Sequence, residues 1–291
     1  MVTGKDTHGS NLIHLIPCKI IGKIMSDTTI RRPIKWITSA DTNVGMVRSV
    51  NEDSVMTKPE IGLWAVADGM GGYEAGDVAS NMIVSSLSEI EKYEHLDTFV
   101  DEVEDKIHDA NDRILEYSQI MHDGRILGST IISLLIKGQV GICMWAGDSR
   151  LYLLRNNQLQ QLSRDHSHVQ ELIDRGSISI EEATNHPDAN VITRAVGTSN
   201  ELYVDINAFN VQVGDTFLLC SDGLYNAVDE LEIEKQMRDY DTDNAVKQLI
   251  VKALENGAPD NVSIVIVKSV SEVNGLHSNL TQAEYTQGVN H

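Results

Sequence analysis

Acidic residues stand at the edges of several apolar runs in this sequence, most of them beside a glycine. A single aspartate in this setting is most often a turn or cap residue, and a buried aspartate without a partner is unfavourable. If the ends of these runs converge, the carboxylates form a cage of hard oxygen ligands suited to Mg²⁺ or Mn²⁺. The acidic positions are Asp68, Asp148 and Asp222 after apolar runs, and Asp260 and the pair Glu52-Asp53 before predicted strands.

The segment V-A-D-G-M-G-G at 66–72 places Asp68 among glycines. Glycine adopts backbone conformations that other residues avoid, and it lets the chain approach a ligand closely. Two explanations fit this segment: a tight turn capped by Asp68, or an ion held at the end of a strand. The segment alone does not separate them.

Other site chemistries lack their sequence motifs. The cysteines and histidines do not have the spacing of a zinc site. The G-x-x-x-x-G-K-[ST] phosphate loop does not occur, and G-M-G-G lacks the spacing and the strand–turn–helix setting of a dinucleotide fingerprint. No serine lies in a G-x-S-x-G elbow. Metal chemistry is what remains.

The composition limits the partners that this chain can have. It has 291 residues, 41% of them apolar, and a formal net charge of −20, which argues against nucleic acid or an anionic membrane as a main partner. The cysteines Cys18, Cys143 and Cys220 are far apart, and they predict buried, reduced thiols in a cytoplasmic protein. The apolar segment 11–24 is interrupted by a proline and two lysines, and it is too short to span a bilayer.

Hydrophobic periodicity predicts the elements that must position the acids. Apolar residues recur at steps of three and four from 100 to 121, which predicts an amphipathic helix, and further helices are predicted at 74–90 and 243–256. Strands and helices occur in blocks rather than in strict alternation, which favours sheets with helices on their outer faces over a doubly wound fold. The predicted strands are 61–67, 130–136, 140–146, 150–155, 203–211, 216–221 and 262–268.

A single domain is predicted between two tails. Residues 1–36 and 270–291 lack the pattern of packed elements, and neither a low-complexity linker nor a repeat interrupts the part between them. Met25 is an alternative start of the protein, which would make residues 1–24 an unstructured leader.

Six short motifs occur in an order and at separations that resemble one known family. They are V-G-M-V-R-S-V-N-E-D at 44–53, V-A-D-G-M-G-G at 66–72, G-S-T at 128–130, A-G-D-S-R at 146–150, S-D-G at 221–223 and P-D-N at 259–261. The series is similar to that of the metal-dependent serine/threonine protein phosphatases of type 2C, the PPM family, in their compact bacterial form. Each motif alone is weak, but the ordered set is specific, and it covers about 37–269.

The resemblance implies an α+β fold, a four-layer α-β-β-α sandwich in which two central antiparallel sheets are flanked by helix pairs. It implies two tightly bound Mn²⁺ or Mg²⁺ ions between the sheets, and a third ion that is bound more weakly. It also implies that 37–269 is the phosphatase domain and that about 163–200 is a flap beside the active site.

The resemblance also assigns roles around the two ions. Asp68 resembles the carboxylate that bridges both ions and orients the attacking water, and the carbonyl of Gly69 resembles a ligand of one ion. Asp222 and Asp260 resemble ligands of the other ion. Asp53 resembles a residue that holds ion-bound water or binds an ion directly.

Three further residues complete the implied site. Glu52 would hold water next to the ions, and Asp148 resembles a ligand of the third ion. Arg48 resembles the residue that grips the phosphate, a role that suits a planar guanidinium. Taken without its neighbours, this arginine is more often a surface or capping residue.

Two positions depart from the family pattern. Met70 stands where eukaryotic relatives carry a histidine that is a candidate general acid, so the proton donor is unassigned. His166 and His186 are candidates by residue type only, and each fits a structural or solvent-facing role better. Asn226 stands where many relatives have an aspartate linked to the third ion.

The implied activity is hydrolysis of phosphoserine and phosphothreonine in proteins by direct attack of a hydroxide that bridges the two ions. The substrates would be phosphorylated targets of a bacterial Ser/Thr kinase, and the enzyme would be a cytoplasmic monomer that binds neither nucleic acid nor membrane. The alternatives are a non-catalytic pseudophosphatase that binds phosphoproteins, a regulator dedicated to one phosphoserine partner, and a hydrolase of small phosphate esters. The retained acids at 53, 68, 222 and 260 argue against the pseudophosphatase.

Overall fold

A computed structural model describes residues 34–71, 75–184 and 186–271. The predicted leader at 1–24, Gly72 and nearly all of the two predicted tails lie outside these residues. The strands are β1 (Ile34–Asn43), β2 (Asp53–Lys58), β3 (Leu63–Gly71), β4 (Leu127–Ser129), β5 (Ile131–Lys137), β6 (Val140–Ala146), β7 (Arg150–Arg155), β8 (Gln158–Gln161), β9 (Asp205–Asn210), β10 (Thr216–Cys220) and β11 (Val262–Ser271). The helices are α1 (Gly76–Ser88), α2 (Leu96–Met121), α3 (His168–Asp174), α4 (Ile180–Thr184), α5 (Asp222–Tyr225), α6 (Glu230–Asp239) and α7 (Thr242–Glu255).

Two antiparallel sheets form the centre of the fold. One sheet has the strand order β1-β11-β10-β7-β8, and the other has the order β2-β3-β5-β6-β9 with β4 paired to β3. Strands β1 and β11 form a ladder that runs from Ile34 opposite Ser271 to Asn43 opposite Val262. The first and the last strand of the described chain are therefore neighbours in one sheet.

Helices cover the outer face of each sheet. Side chains alternate between the two faces of a strand, and in β3 Leu63 and Ala65 pack with α1 and α2, whereas Trp64 and Val66 lie between the sheets. Helices α6 and α7 pack on the outer face of the other sheet. The result is a four-layer α-β-β-α sandwich, and the predicted fold class is confirmed.

Most of the predicted elements are present, with shifted ends. In α2 the middle of the predicted apolar stripe, from Val103 to Ile114, is buried, whereas Met121 at its end is exposed, and the helix begins at Leu96 rather than at residue 100. Helix α6 was not predicted, because only Ile233 and Met237 give it a buried apolar face. None of the described helices is both long and apolar enough to cross a membrane.

Strand β1 was also not predicted as a strand, and part of it falls in the predicted N-terminal tail. Its sequence I-K-W-I-T-S-A-D-T-N is polar in its second half, and most of its residues are exposed or half-buried. Ten backbone pairs with β11 hold it in the sheet. The predicted domain limits, 37 and 269, therefore fall inside β1 and β11.

Candidate active site

The layer between the two sheets changes from apolar to polar at one end. In β3, Trp64 and Val66 face the other sheet, and the next residue on the same side of the strand is Asp68. Asp53 begins β2 and lies directly opposite Asp68 in the β2–β3 ladder. Because opposite residues of an antiparallel pair share a face, strand register places these two carboxylates side by side.

The second sheet supplies hydroxyl groups at the same end. Leu219 of β10 lies between the sheets, and Ser221 is the next residue on that side. The Ser221 hydroxyl donates to Oδ2 of Asp53 at 2.8 Å and accepts from the backbone N–H of Ser263 at 2.9 Å. These bonds join the two sheets and orient one oxygen of Asp53.

Three more carboxylates reach this end of the layer. Asp222 is the first residue of α5, directly after β10, Asp148 follows β6, and Asp260 lies in the loop before β11. The charges of Asp53 and of these three residues all act on Asp68. We call Asp53, Asp68, Asp148, Asp222 and Asp260 the carboxylate cluster.

Burial and mutual repulsion raise the pKa values of Asp53, Asp68, Asp148 and Asp222. Burial is the main reason that the pKa of Asp68 lies well above its usual range, and the charge of Asp53 is the next cause. Burial and then the charge of Asp148 raise the pKa of Asp222 to about 8. Burial also raises the pKa of Asp53 to about 6 and that of Asp148 to about 6. Positive charge placed among these groups would stabilise their ionised forms.

Three oxygens of the carboxylate cluster are buried without a hydrogen-bond partner: Asp53 Oδ1, Asp148 Oδ1 and Asp222 Oδ1. Buried polar atoms are nearly always satisfied, so these oxygens indicate a ligand of positive charge. Such carboxylate oxygens are the ligands that Mg²⁺ and Mn²⁺ prefer. Within the described residues, no three His, Cys, Asp or Glu side chains enclose an ion by themselves, so water and backbone carbonyls would complete the coordination. With those additional ligands, the carboxylate cluster fits divalent cations.

Arg48 lies beside the carboxylate cluster and contacts one member of it. Its Nη2 is 2.7 Å from Oδ2 of Asp260, with 53% of the Arg48 side chain and 37% of the Asp260 side chain exposed. Water screens a pair with this exposure, and a guanidinium binds phosphate oxygens in the same way as carboxylate oxygens. A phosphate group could therefore replace Asp260 as the partner of Arg48.

Glu52 fixes the turn of the chain around Gly69. Its backbone carbonyl accepts from the N–H of Gly69 at 3.1 Å and from the hydroxyl of Ser80 at 2.6 Å. Its Oε1 accepts from the N–H of Gly76 at 2.9 Å, and burial raises its pKa. A Cβ atom at Gly69 would lie 2.1 Å from the carbonyl oxygen of Gly76, so only glycine fits there. Beside its predicted role with water, Glu52 thus has a structural role.

Asn261 fixes the loop that carries Arg48. Its side-chain Nδ2 donates to the carbonyls of Val44 at 2.9 Å and Val50 at 3.0 Å. Its Oδ1 accepts from the backbone N–H of Glu52 at 2.8 Å. One buried amide therefore ties both ends of this loop to the start of β11.

Several residues that support the site were not predicted as site residues. Ser221, Ser263 and Asn261 make the contacts above, and the Thr130 hydroxyl accepts from the backbone N–H of Asp68 at 3.1 Å. A signal for the three hydroxyl residues exists in the sequence, because each lies two positions from an apolar residue that faces the other sheet. Reading that signal requires knowing which face of each strand is the inner one.

Asn226 lies one helical turn after Asp222. Its Nδ2 donates to Oδ2 of Asp222 at 3.1 Å, and its backbone N–H donates to the Asp222 carbonyl at 2.9 Å. The position therefore touches the carboxylate cluster, and its predicted link to a third ion stays a prediction.

The segment between β8 and β9 contains the predicted flap. Among its described residues it has the short helices α3 and α4 and isolated bridges but no strand. His166 accepts from the N–H of Gly147 through Nδ1 at 3.1 Å and stacks on Trp145. His186 accepts from the N–H of Asp188 through Nδ1 at 3.1 Å. These contacts give both histidines a local structural role.

Comparison with known sequences agrees with this geometry. The family profile of protein phosphatase 2C matches residues 47–264. The serine/threonine phosphatase Stp of Listeria monocytogenes is 38% identical over 238 residues, which cover 78% of this chain and 93% of that protein.

Solved structures give the same result. PppA of Pseudomonas aeruginosa superposes with a TM-score of 0.75 at 40% sequence identity, covering 81% of this chain and 98% of PppA. The catalytic domain of the phosphatase PstP in complex with 2 manganese ions superposes with a TM-score of 0.75 at 32% identity, covering 82% of this chain and 100% of that domain. The chain belongs to the protein phosphatase 2C family, in its bacterial PPM form. It is a serine/threonine protein phosphatase.

Proposed function

We propose that this phosphatase hydrolyses phosphoserine and phosphothreonine in proteins by direct attack of water, and that its substrates are products of a bacterial Ser/Thr kinase. The observation that carries the proposal is the carboxylate cluster, with its three unpartnered buried oxygens. Among the described residues, Cys143 and Cys220 are poor candidates for a nucleophile, because both are buried and burial raises the pKa of both thiols.

Four members of the carboxylate cluster, Asp53, Asp68, Asp222 and Asp260, would hold two divalent cations together with the carbonyl of Gly69. Bound there, the cations would lower the pKa of water and neutralise charge on the attacked and leaving oxygens. Asp68 suits the bridging role, because the charges of all the other members act on it.

The surrounding residues position these groups and the substrate. Ser221 holds Oδ2 of Asp53 at 2.8 Å and leaves its other oxygen for a cation. Arg48 would bind two phosphate oxygens through its planar guanidinium after it leaves Asp260. Asp148 would hold the third, weaker cation, because its Oδ1 is buried without a partner.

Cation binding at this site would be coupled to proton release. The raised pKa of Asp222, about 8, means that the cation-free cluster keeps a proton near neutral pH. Ligand carboxylates must lose their protons when a cation binds. Cation affinity should therefore rise with pH.

We propose a cytoplasmic monomer as the working form of the enzyme. The free, buried thiols of Cys143 and Cys220 are typical of a reducing compartment. The net charge of −20 disfavours nucleic acid and anionic lipid as partners.

The test compares phosphoserine, phosphothreonine and phosphotyrosine peptides with and without Mn²⁺. We expect hydrolysis of the first two peptides only, and only with Mn²⁺. Calorimetry should show two tight Mn²⁺ sites that Asp222→Asn weakens, whereas Asp239→Asn, an exposed change on α6, leaves them unchanged. Equal hydrolysis of phosphotyrosine, or activity on small esters alone, would contradict the proposal.

A further inference from the structure

A cavity of about 520 Å³ lies between the flap helices and the residues next to the carboxylate cluster. Asp148 and Asn226 line it on the side of the cluster, and Ile173 of α3 and Ile180 of α4 line it on the side of the flap. We call it the flap cavity. One water occupies about 30 Å³ in the liquid, so the flap cavity has room for a whole side chain with its hydration water.

The charged lining of the flap cavity is mostly negative. It contains the carboxylates Asp148, Asp165 and Glu230 and the guanidinium of Arg150. Arg150 is engaged by Asp165, since its Nε is 3.0 Å from both Asp165 oxygens and its Nη2 is 2.6 Å from Oδ2. Its charge is thus neutralised within the lining.

Two carboxylates of the flap cavity are paired less closely than Asp165. Asp148 is 5% exposed, and its Oδ1 has no hydrogen-bond partner. Glu230 accepts from the Tyr152 hydroxyl at 3.1 Å, and its contact with Arg150 is long, at 3.7 Å. The flap cavity therefore combines an excess of negative charge with apolar lining residues.

We infer that the flap cavity binds a lysine or arginine side chain of the phosphoprotein substrate, close in sequence to the phosphorylated residue. The aliphatic stem of such a side chain would pack on Ile173 and Ile180, and its positive head would reach Glu230 and, when no cation is bound there, Asp148. Long basic side chains bury their stems on apolar surface in this way while the charge stays hydrated. The inference rests on the proposed function and names a sequence preference for the same site.

A divalent cation bound at Asp148 would be another source of positive charge in the flap cavity. The substrate side chain and the cation predict different effects of a Glu230 replacement on peptide preference. A substrate side chain that reaches Glu230 makes peptide preference depend on that residue. A cation held at Asp148 alone leaves the preference unchanged when Glu230 is replaced.

The experiment measures kcat/KM on phosphothreonine peptides that carry lysine or glutamate at each neighbouring position in turn, at one Mn²⁺ concentration. At one position we expect lysine to be preferred over glutamate by about tenfold, mainly through KM. The ratio of kcat/KM for the lysine peptide to kcat/KM for the glutamate peptide is taken within each variant. A loss of folded protein affects both values equally and therefore cancels.

Three variants test the assignment. Glu230→Gln should reduce the lysine-to-glutamate ratio about threefold to fivefold, and Glu230→Lys should reverse the preference. Glu171→Gln is the matched control, because Glu171 is an acidic residue of the flap helix α3, which also carries Ile173, but lies outside the cavity lining. It should leave the ratio unchanged.

Two results would overturn the inference while the proposed function stands. One is hydrolysis of all peptides without preference between lysine and glutamate. The other is an equal change of the ratio in Glu171→Gln and Glu230→Gln. If no phosphopeptide is hydrolysed with Mn²⁺, the proposed function fails and this inference fails with it.

Discussion

The middle of the layer between the sheets and its polar end are built from the same strands but behave differently. In the middle, Trp64 and Phe217 are completely buried among apolar side chains of both sheets. At the end, Asp68 continues the same side of β3, and burial raises its pKa well above the usual range. The close packing that stabilises the middle also removes water from the carboxylates at the end, and perturbed pKa values of this kind are typical of functional sites.

Substitutions in the two regions should therefore have opposite effects. Changes in the middle should lower the free energy of unfolding and leave turnover per folded molecule intact. Changes at the polar end should abolish turnover and leave the fold intact, because charge repulsion among buried carboxylates opposes folding in the absence of cations.

The largest effect is expected for Asp222→Asn at the polar end. Loss of a direct ligand should reduce kcat/KM at saturating Mn²⁺ by at least a hundredfold, since even residues that only support ligands contribute about 10–100-fold. Denaturant unfolding without cations should show stability equal to or above that of the wild type, because a repelled carboxylate is gone. Substantial activity in a folded variant would remove Asp222 from the site.

Leu219→Ala tests the middle of the layer. Leu219 is completely buried, and its truncation should lower the free energy of unfolding by about 2–5 kcal/mol. The kcat per folded molecule, measured well below the melting temperature, should stay near that of the wild type. A large loss of kcat in the folded fraction would mean that the two regions are not separable.

Arg48→Ala removes the guanidinium group that contacts Asp260 of the carboxylate cluster. Loss of a charge-assisted hydrogen bond to phosphate should weaken kcat/KM, and inhibition by inorganic phosphate, by about tenfold or more. Mn²⁺ affinity measured by calorimetry should not fall, because Asp260 loses a competing positive charge at 2.7 Å. Reduced Mn²⁺ affinity with unchanged phosphate inhibition would make Arg48 a structural residue.

The stability of the cation-free protein should fall as pH rises. The folded-state pKa is about 8 for Asp222 and about 6 for Asp53 and Asp148, whereas an unfolded aspartate titrates near about 3.9. Between these values the folded protein binds more protons than the unfolded chain, so its stability decreases with pH. Chelated protein should thus melt at a lower temperature at about pH 8 than at about pH 5.

Two controls belong to the pH experiment. Saturating Mn²⁺ should restore stability most at the higher pH, and Asp222→Asn should flatten the pH dependence of the chelated protein. A chelated wild type that becomes more stable with rising pH would contradict the raised pKa values.

The smallest effect is expected for Asn226→Asp. Its amide donates to Asp222 at 3.1 Å, and an added negative charge there should shift a weak, high-concentration phase of Mn²⁺ activation to lower Mn²⁺ by a few-fold. Asp148→Ala should remove that phase. Asn200→Asp, an exposed change outside the site, is the control. Identical titrations for wild type and Asn226→Asp would show that residue 226 does not tune a third cation.

The sequence pointed to the members of the carboxylate cluster because each acid marks the edge of an apolar run. The run L-L-C-S before Asp222 and the run A-V-A before Asp68 predict strands, and strands of one sandwich end at common edges. The family resemblance then supplied the roles. The acidic residues could be found in this way because their pattern is local: it depends only on residue type and on position next to an apolar run.

The supporting contacts were not predictable in the same way. Asn261 holds residues far from it in the chain, and nothing in its neighbourhood indicates those partners. The flap cavity depends on how the fold brings Ile173, Ile180 and Glu230 to the same cavity, which is a matter of tertiary packing. Strand β1 was missed because its pairing with β11, rather than its own apolar pattern, makes it a strand.

The pairing of β1 with β11 has a consequence for synthesis of the enzyme on the ribosome. Strand β11 lies between β1 and β10 in its sheet and follows Asp260 and Asn261 directly. Contacts between distant parts of a chain form late in folding. Until this last strand emerges, the growing chain has neither a complete sheet nor the strand that positions Asp260 in the carboxylate cluster. We therefore expect nascent chains to be inactive, and phosphatase activity to begin only after the whole domain has been translated.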